Sequence, residues 1–139
     1  MTFHRTHVLA ALVGLPLALA LAGCGATAGP ASAAPEVTVR ATEFAFGLNP
    51  IRIPVGTPVR LVLVNAGVVE HDLVVRELPA KNVRATAGGH GHGSEVAAHA
   101  APGARAWVEF TPTQAGAYTV ECTVPGHKEA GMQTTLIVE

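Results

Sequence analysis

The sequence predicts an all-β fold, a Greek-key β-sandwich. Three observations carry the expectation. Apolar residues recur at every second position over short runs, the period of a strand with one buried face. Clusters of Pro, Gly, Asn and Thr separate these runs at regular intervals. Beyond Pro35 no stretch repeats its apolar positions at helical spacing. The pattern amounts to about seven or eight short strands, which bury their apolar faces by packing as two sheets. An immunoglobulin-type sandwich would look similar, but its Cys-Trp-Cys order is missing, since Trp107 precedes Cys122 and no earlier strand carries a Cys.

The chain has 139 residues, enough for one domain, and a net charge of −1, which leaves neither a nucleic-acid footprint nor an acidic tail. Residues 1–7 are short and basic through Arg5. Val8 to Ala22 is apolar apart from Gly14 and Pro16, too short for a confident membrane span, and reads as a secretory core. Leu21, Ala22, Gly23 and Cys24 resemble a bacterial lipoprotein signal. That resemblance implies that residues 1–23 are removed and that Cys24 becomes the lipidated first residue. The protein would then be extracytoplasmic, in the periplasm or at the cell surface, and held to the membrane by a lipid anchor. Ordinary secretion with cleavage near Ala31, Ser32 and Ala33 is the other reading. Residues 24–35 hold no core residues and read as a flexible tether, leaving 36–139 as the folded domain.

Within that domain Glu36 to Thr42 alternates, with Val37, Val39 and Ala41 on one face. Phe44 and Phe46 are expected to begin the core. Asn49 and Pro50 mark a turn before the short strand Ile51 to Ile53, and Pro54 and Pro58 keep the next segment at a sheet edge or in a loop. Val59 to Asn65 is the clearest strand. Leu61 and Leu63 point inward, while Val62 and Val64 imply partial cover on the other face. After the Asn65-Ala66-Gly67 turn, His71 opens a strand that runs to Arg76. Leu78 to Gly103 shows the least regularity and contains a Gly- and His-rich run with His90 and His92, followed by His99. Such a composition reads as a solvated loop, or as a weak second copper-capture site built from these three His. Ala106 to Phe110 is a strand, Thr111 to Gly116 a turn, and Ala117 to Cys122 a strand with Tyr118, Val120 and Cys122 on one face and Glu121 on the other.

The chemistry concentrates in Cys122, His127 and Met132, each five residues after the last. Thiolate and thioether are soft donors, and with imidazole they suit copper. Two imidazoles and a thiolate in a plane, with a long axial Met, are the donor set of a blue-copper electron-transfer centre. The loop supplies one His, and His71 is the best candidate for the second. Pro125 and Gly126 turn His127 back toward the sulfur, and Gly131 permits a second bend before Met132, which shares a strand face with Thr134, Leu136 and Val138. Structural zinc does not use Met. A binuclear copper site would need a second Cys in the loop, where Gly126 stands. The bland alternative makes Cys122 and Met132 ordinary core residues.

These motifs, from Val37 to Val138, resemble the cupredoxins of the plastocyanin, auracyanin, rusticyanin and sulfocyanin group. The resemblance implies a single type 1 copper with His71, Cys122 and His127 equatorial and Met132 axial. It also implies that His127 carries the electron at an apolar docking patch for an unidentified redox partner protein; Val124, Pro125 and Ala130 would border that patch, or else simply pack the turn. One position departs from the group's pattern. Asp72 follows the first His where Asn is common and pins the Cys loop; its N–H can still reach the sulfur, and its carboxylate would favour Cu(II). With Cys24 lipidated and Cys122 on the metal, no pair of Cys remains for a disulfide. The expected function is a membrane-tethered electron carrier and not an enzyme, since one domain offers no His set for a catalytic copper cluster. The alternative is an extracytoplasmic copper-trafficking or storage protein that collects the ion on its His-rich loop.

Overall fold

The computed structural model describes residues 33–86 and 95–139. Cys24, His90 and His92 lie outside them. The described residues form ten strands and no helix: β1 (Glu36–Thr42), β2 (Ala45–Phe46), β3 (Ile51–Ile53), β4 (Val59–Asn65), β5 (His71–Val75), β6 (Ala80–Ala85), β7 (Val96–Ala100), β8 (Arg105–Pro112), β9 (Gly116–Glu121) and β10 (Gln133–Val138).

They make two five-stranded sheets, ordered β2-β1-β4-β8-β6 and β3-β10-β9-β5-β7. Only β1–β2 and β9–β10 are pairs of consecutive strands; every other neighbour is reached by a crossing, as the Greek-key expectation requires. Two pairings, β1 with β4 and β3 with β10, are parallel. The inner faces meet in one apolar core that includes Val39, Leu61, Leu63, Leu73, Val108, Phe110, Val120 and Leu136. Each such side chain contributes about 1.5–3 kcal/mol by leaving water. The alternation read from the sequence holds in β1, β4 and β10, where Thr134, Leu136 and Val138, with Met132 just before the strand, are all buried.

Three expectations need correction. The stretch from Leu78 to Gly103 contains two strands, β6 and β7. β6 is an edge strand with mostly exposed side chains, so it shows no apolar alternation, and its pairing with β8 shifts register between Lys81 and Arg84. β7 is Ala-rich and buried at Val96, Ala97, Ala98 and Ala100, on both faces, which erases the two-residue period. Thr111 and Pro112 continue β8 instead of opening a turn; the missing N–H of Pro112 is tolerated where β8 ends. Phe44 is not a core residue: it is 49% exposed, at a φ of 62° in the β1–β2 turn, while Phe46 does pack against the core. Glu121 lies on the face opposite Cys122, as read from the sequence, and is buried there because Arg76 and Lys128 cover and pair its carboxylate at 2.6 and 2.8 Å.

Candidate metal centre

The site is built by two segments that leave strands at the same end of the sandwich, with the β1–β2 turn beside them. The first follows β4. Asn65, buried at its end, donates through Nδ2 to the carbonyls of Val69 (2.7 Å) and Ala100 (3.0 Å) and accepts the Gly67 N–H (2.9 Å). A short polar side chain thereby shapes the connection that delivers His71 to the start of β5.

The second segment joins β9 to β10. Gly126 and Gly131 take φ of 85° and 94°, a backbone region that strongly favours glycine, at the two bends read from the sequence. The His127 N–H donates to Val124 O at 3.0 Å, the Met132 N–H to His127 O at 2.9 Å, and the Cys122 N–H to Met132 O at 3.2 Å. The loop is therefore tied across its own base, with Cys122, His127 and Met132 all turned inward. The Cys122, Met132 and His71 side chains are fully buried; His127 alone keeps some exposure, 7%.

Side-chain donors of His71, Cys122 and His127 lie within 4.8 Å of one another, the one such group of three among the described residues. Cys122 Sγ is 3.4 Å from His127 Nδ1, and the two imidazole rings are 5.0 Å apart, centre to centre. Both ring nitrogens of His71 are buried without a hydrogen-bond partner. Buried polar atoms are normally paired, so these orphaned nitrogens fit a metal ligand better than a structural His. Burial holds the His71 pKa below its ordinary value, with the neighbouring His127 acting the same way, so the ring is a neutral donor. Burial raises the pKa of the Cys122 thiol, offset in part by the backbone N–H of Asp72, so the metal must displace a proton to use the sulfur. His71, Cys122, His127 and Met132 together fit a single type 1 copper site.

The Asp72 N–H points at Cys122 Sγ, 3.5 Å away, as expected. The Asp72 carboxylate also holds the Cys loop: one oxygen accepts the Thr123 N–H at 2.5 Å and the other accepts the Thr123 hydroxyl. The pinning that Asn was expected to supply is thus supplied by Asp.

His99 does not join the cluster. It lies in β7, directly across from Asp72, with Nε2 3.5 Å from Glu70. Val124 packs against the core, while Pro125 and Ala130 are exposed beside His127 in sequence. Two residues escaped the sequence reading. Phe44 meets the His127 ring edge-on at 5.3 Å, and Glu43 accepts the Val68 N–H at 2.6 Å. That N–H lowers the Glu43 pKa first, with smaller contributions from His71 and His127. Neither residue carries a local sign of its role; both reach the site because the β1–β2 turn folds over it.

Comparison with known proteins agrees with this geometry. The family of copper binding proteins described as plastocyanin/azurin matches residues 33–139. A copper-resistant cuproprotein, CopI, of Rubrivivax gelatinosus is 32% identical over 105 residues, 72% of this chain; the match spans 63% of that relative's length. Auracyanin B has 26% identity and a TM-score of 0.59, over 76% of this chain and 89% of its own. Auracyanin A, a blue copper protein of Chloroflexus aurantiacus, has 25% identity and a TM-score of 0.53, over 75% and 99%. With a matched family region that contains the whole sandwich and all four donors, this chain belongs to the plastocyanin/azurin family of copper-binding proteins.

Proposed function

We propose that the chain is a blue-copper electron carrier, tethered to the outer side of a membrane through Cys24. The observation that carries this reading is the unequal burial of the donor set. His71, Cys122 and Met132 are sealed, while His127 alone approaches the surface, under the exposed edge of Phe44. A bound copper supplies a one-electron Cu(II)/Cu(I) couple at such a donor set. The protein's part is to keep the donors still. The cross-tied loop, the two contacts from Asp72 to Thr123 and the Asn65 bonds all restrain the ligands, which limits rearrangement between the two states. Burial of three donors also leaves little room for a substrate at the metal, which favours a carrier over an enzyme.

The electron would enter and leave through His127. Phe44, 49% exposed, and Val68, 82% exposed, widen the apolar surface expected from Val124, Pro125 and Ala130. Exposed apolar side chains such as Phe44, whose ring meets His127, suit a transient partner, and a redox protein docking there would meet His127. The tether reading rests on the sequence at Cys24. No helix among the described residues is long and apolar enough to cross a membrane.

One experiment tests the site and another the anchor. Copper-loaded protein should absorb intensely at about 600 nm, as expected of a copper–thiolate centre. Cys122→Ser should fold and lose the band, and a variant that stayed blue would sink the assignment. Cys24→Ser should leave the detergent phase or accumulate unprocessed, whereas unchanged membrane association would place the anchor elsewhere. A second reading, copper trafficking, is favoured by the similarity to a copper-resistant cuproprotein. It predicts ready copper exchange with an outside chelator, where a carrier holds its ion.

A further inference from the structure

One buried carboxylate links the three segments that carry His71, Cys122 and His127. Glu121 stands next to Cys122 at the end of β9, and its side chain is 4% exposed. Lys128, next to His127, pairs with Glu121 Oε2 at 2.8 Å. Arg76 directly follows β5, the strand that His71 opens. It pairs with Glu121 Oε1 at 2.6 Å and also reaches Glu95, just before β7, at 3.3 Å. Glu121 thus has one partner on the His71 segment, one on the His127 loop, and Cys122 as its chain neighbour.

Stability does not account for this arrangement. Taking a carboxylate out of water costs free energy that pairing only roughly offsets, and apolar residues of similar volume often serve as well. What a paired carboxylate adds is direction, since each oxygen accepts from a donor at one place. Lys128 and Arg76 hold different oxygens, so the group cannot turn without breaking one pair.

The loop has use for such a brace. Three of its bonds run within it: the His127 N–H donates to Val124 O, the Ala130 N–H to Gly126 O and the Gly131 N–H to Lys128 O. They shape the turn around His127 without fixing it against β5. Asp72 does that on the Cys122 side, through Thr123. On the His127 side, among the described residues, the side-chain link to the β5 segment runs from Lys128 through Glu121 to Arg76.

We propose that Glu121 is a positioning residue of the copper centre, whose carboxylate braces Lys128 against Arg76 and so fixes His127 relative to Cys122 and His71. The proposal rests on the copper reading of the site. Cys122 Sγ and His127 Nδ1 lie 3.4 Å apart, and a brace one residue from each limits how far the two can drift. Glu121 acts through its neighbours, since its own oxygens are held by the two cations.

The test uses the full chain loaded with copper: wild type, Lys128→Met, Lys128→Arg, and a triple variant combining Arg76→Met, Glu121→Leu and Lys128→Met. Lys128→Met should stay blue, because all four donors remain. Its Cu(II) paramagnetic resonance should show a broadened copper hyperfine pattern, the sign of a spread in ligand geometry. Copper release to a chelator should be about fivefold faster, the scale of a half-exposed ion pair. Lys128→Arg restores the cation and should bring both quantities near wild type. The triple variant removes the buried charge together with its partners, so its stability in urea should return toward wild type, while the broad signal and fast release persist. Lys128 is 51% exposed, so Lys128→Met decides the matter even if the triple variant does not fold. A wild-type signal and release rate in Lys128→Met, or in a folded triple variant, would overturn the role of Glu121. A colourless copper-loaded wild type would instead overturn the copper reading beneath it.

Discussion

Asp72 grips Thr123 with both carboxylate oxygens, one on the backbone N–H at 2.5 Å and one on the hydroxyl, while its own N–H lies 3.5 Å from Cys122 Sγ. One residue thus fixes the start of the Cys loop and donates to the ligand sulfur. Asp72→Ala should keep the N–H contact but free the loop, lowering stability in urea by about 1 kcal/mol. Asp72→Asn keeps one acceptor and removes a negative charge, so the protein should stay blue with a higher potential. A lower potential in voltammetry would contradict the electrostatic role.

Met132 is fully buried, and its backbone bonds both His127 and Cys122. Met132→Leu conserves the volume but removes a weak axial donor that favours Cu(II). The site should stay blue and its potential should rise, by ~59 mV for each tenfold loss of Cu(II) over Cu(I) affinity. An unchanged potential would show that the sulfur does not contribute.

Copper binding should depend on pH in a set direction. The thiol of Cys122 is raised above its ordinary 9.0, so it is protonated near neutrality. His71 is lowered from 6.5, so it is already neutral there. Binding therefore displaces a proton from Cys122 and none from His71, and affinity should climb about tenfold per pH unit through the range from 7 to 9. Titration calorimetry in buffers of different ionisation enthalpy counts the protons, and a count of zero would refute the thiolate assignment.

Glu121 predicts an acid limit for the metal-free protein. Its side chain is 4% exposed between Arg76 and Lys128, and the Lys128 contact first, then Arg76, holds its pKa below the ordinary 4.5. The folded-state value lies below the unfolded one, so the unfolded chain binds more protons as pH falls. The contribution is therefore present above pH 4.5 and lost as pH drops through the folded value. Glu121→Gln should cost about 1–2 kcal/mol at neutral pH and flatten this part of the acid curve. An equally steep curve in the variant would assign the slope to other groups.

The His-rich segment separates the two functions. Replacing His90, His92 and His99 by Ala should leave the blue spectrum unchanged, because His99 lies in β7 beside Glu70 and outside the donor cluster. Calorimetric copper titration should show one tight site in both proteins if the chain is a carrier. A second site lost in the triple variant, with slower loading, would favour trafficking.

The sequence by itself determined the sandwich, the four donors and the bends of their loop. Strands with one buried face write a two-residue period, and positive-φ bends select glycine, as at Gly126 and Gly131; such constraints are local and leave a local trace. β7 and Glu121 escaped it because burial on both faces, or beneath partner cations, is decided by what packs above a strand. Tertiary structure alone decided that Glu43 and Phe44, more than twenty-five residues before His71 in the chain, bond the Val68 N–H and meet the His127 ring. A turn residue's neighbours across space are set by how the strands cross between sheets, and that crossing has no period in the chain.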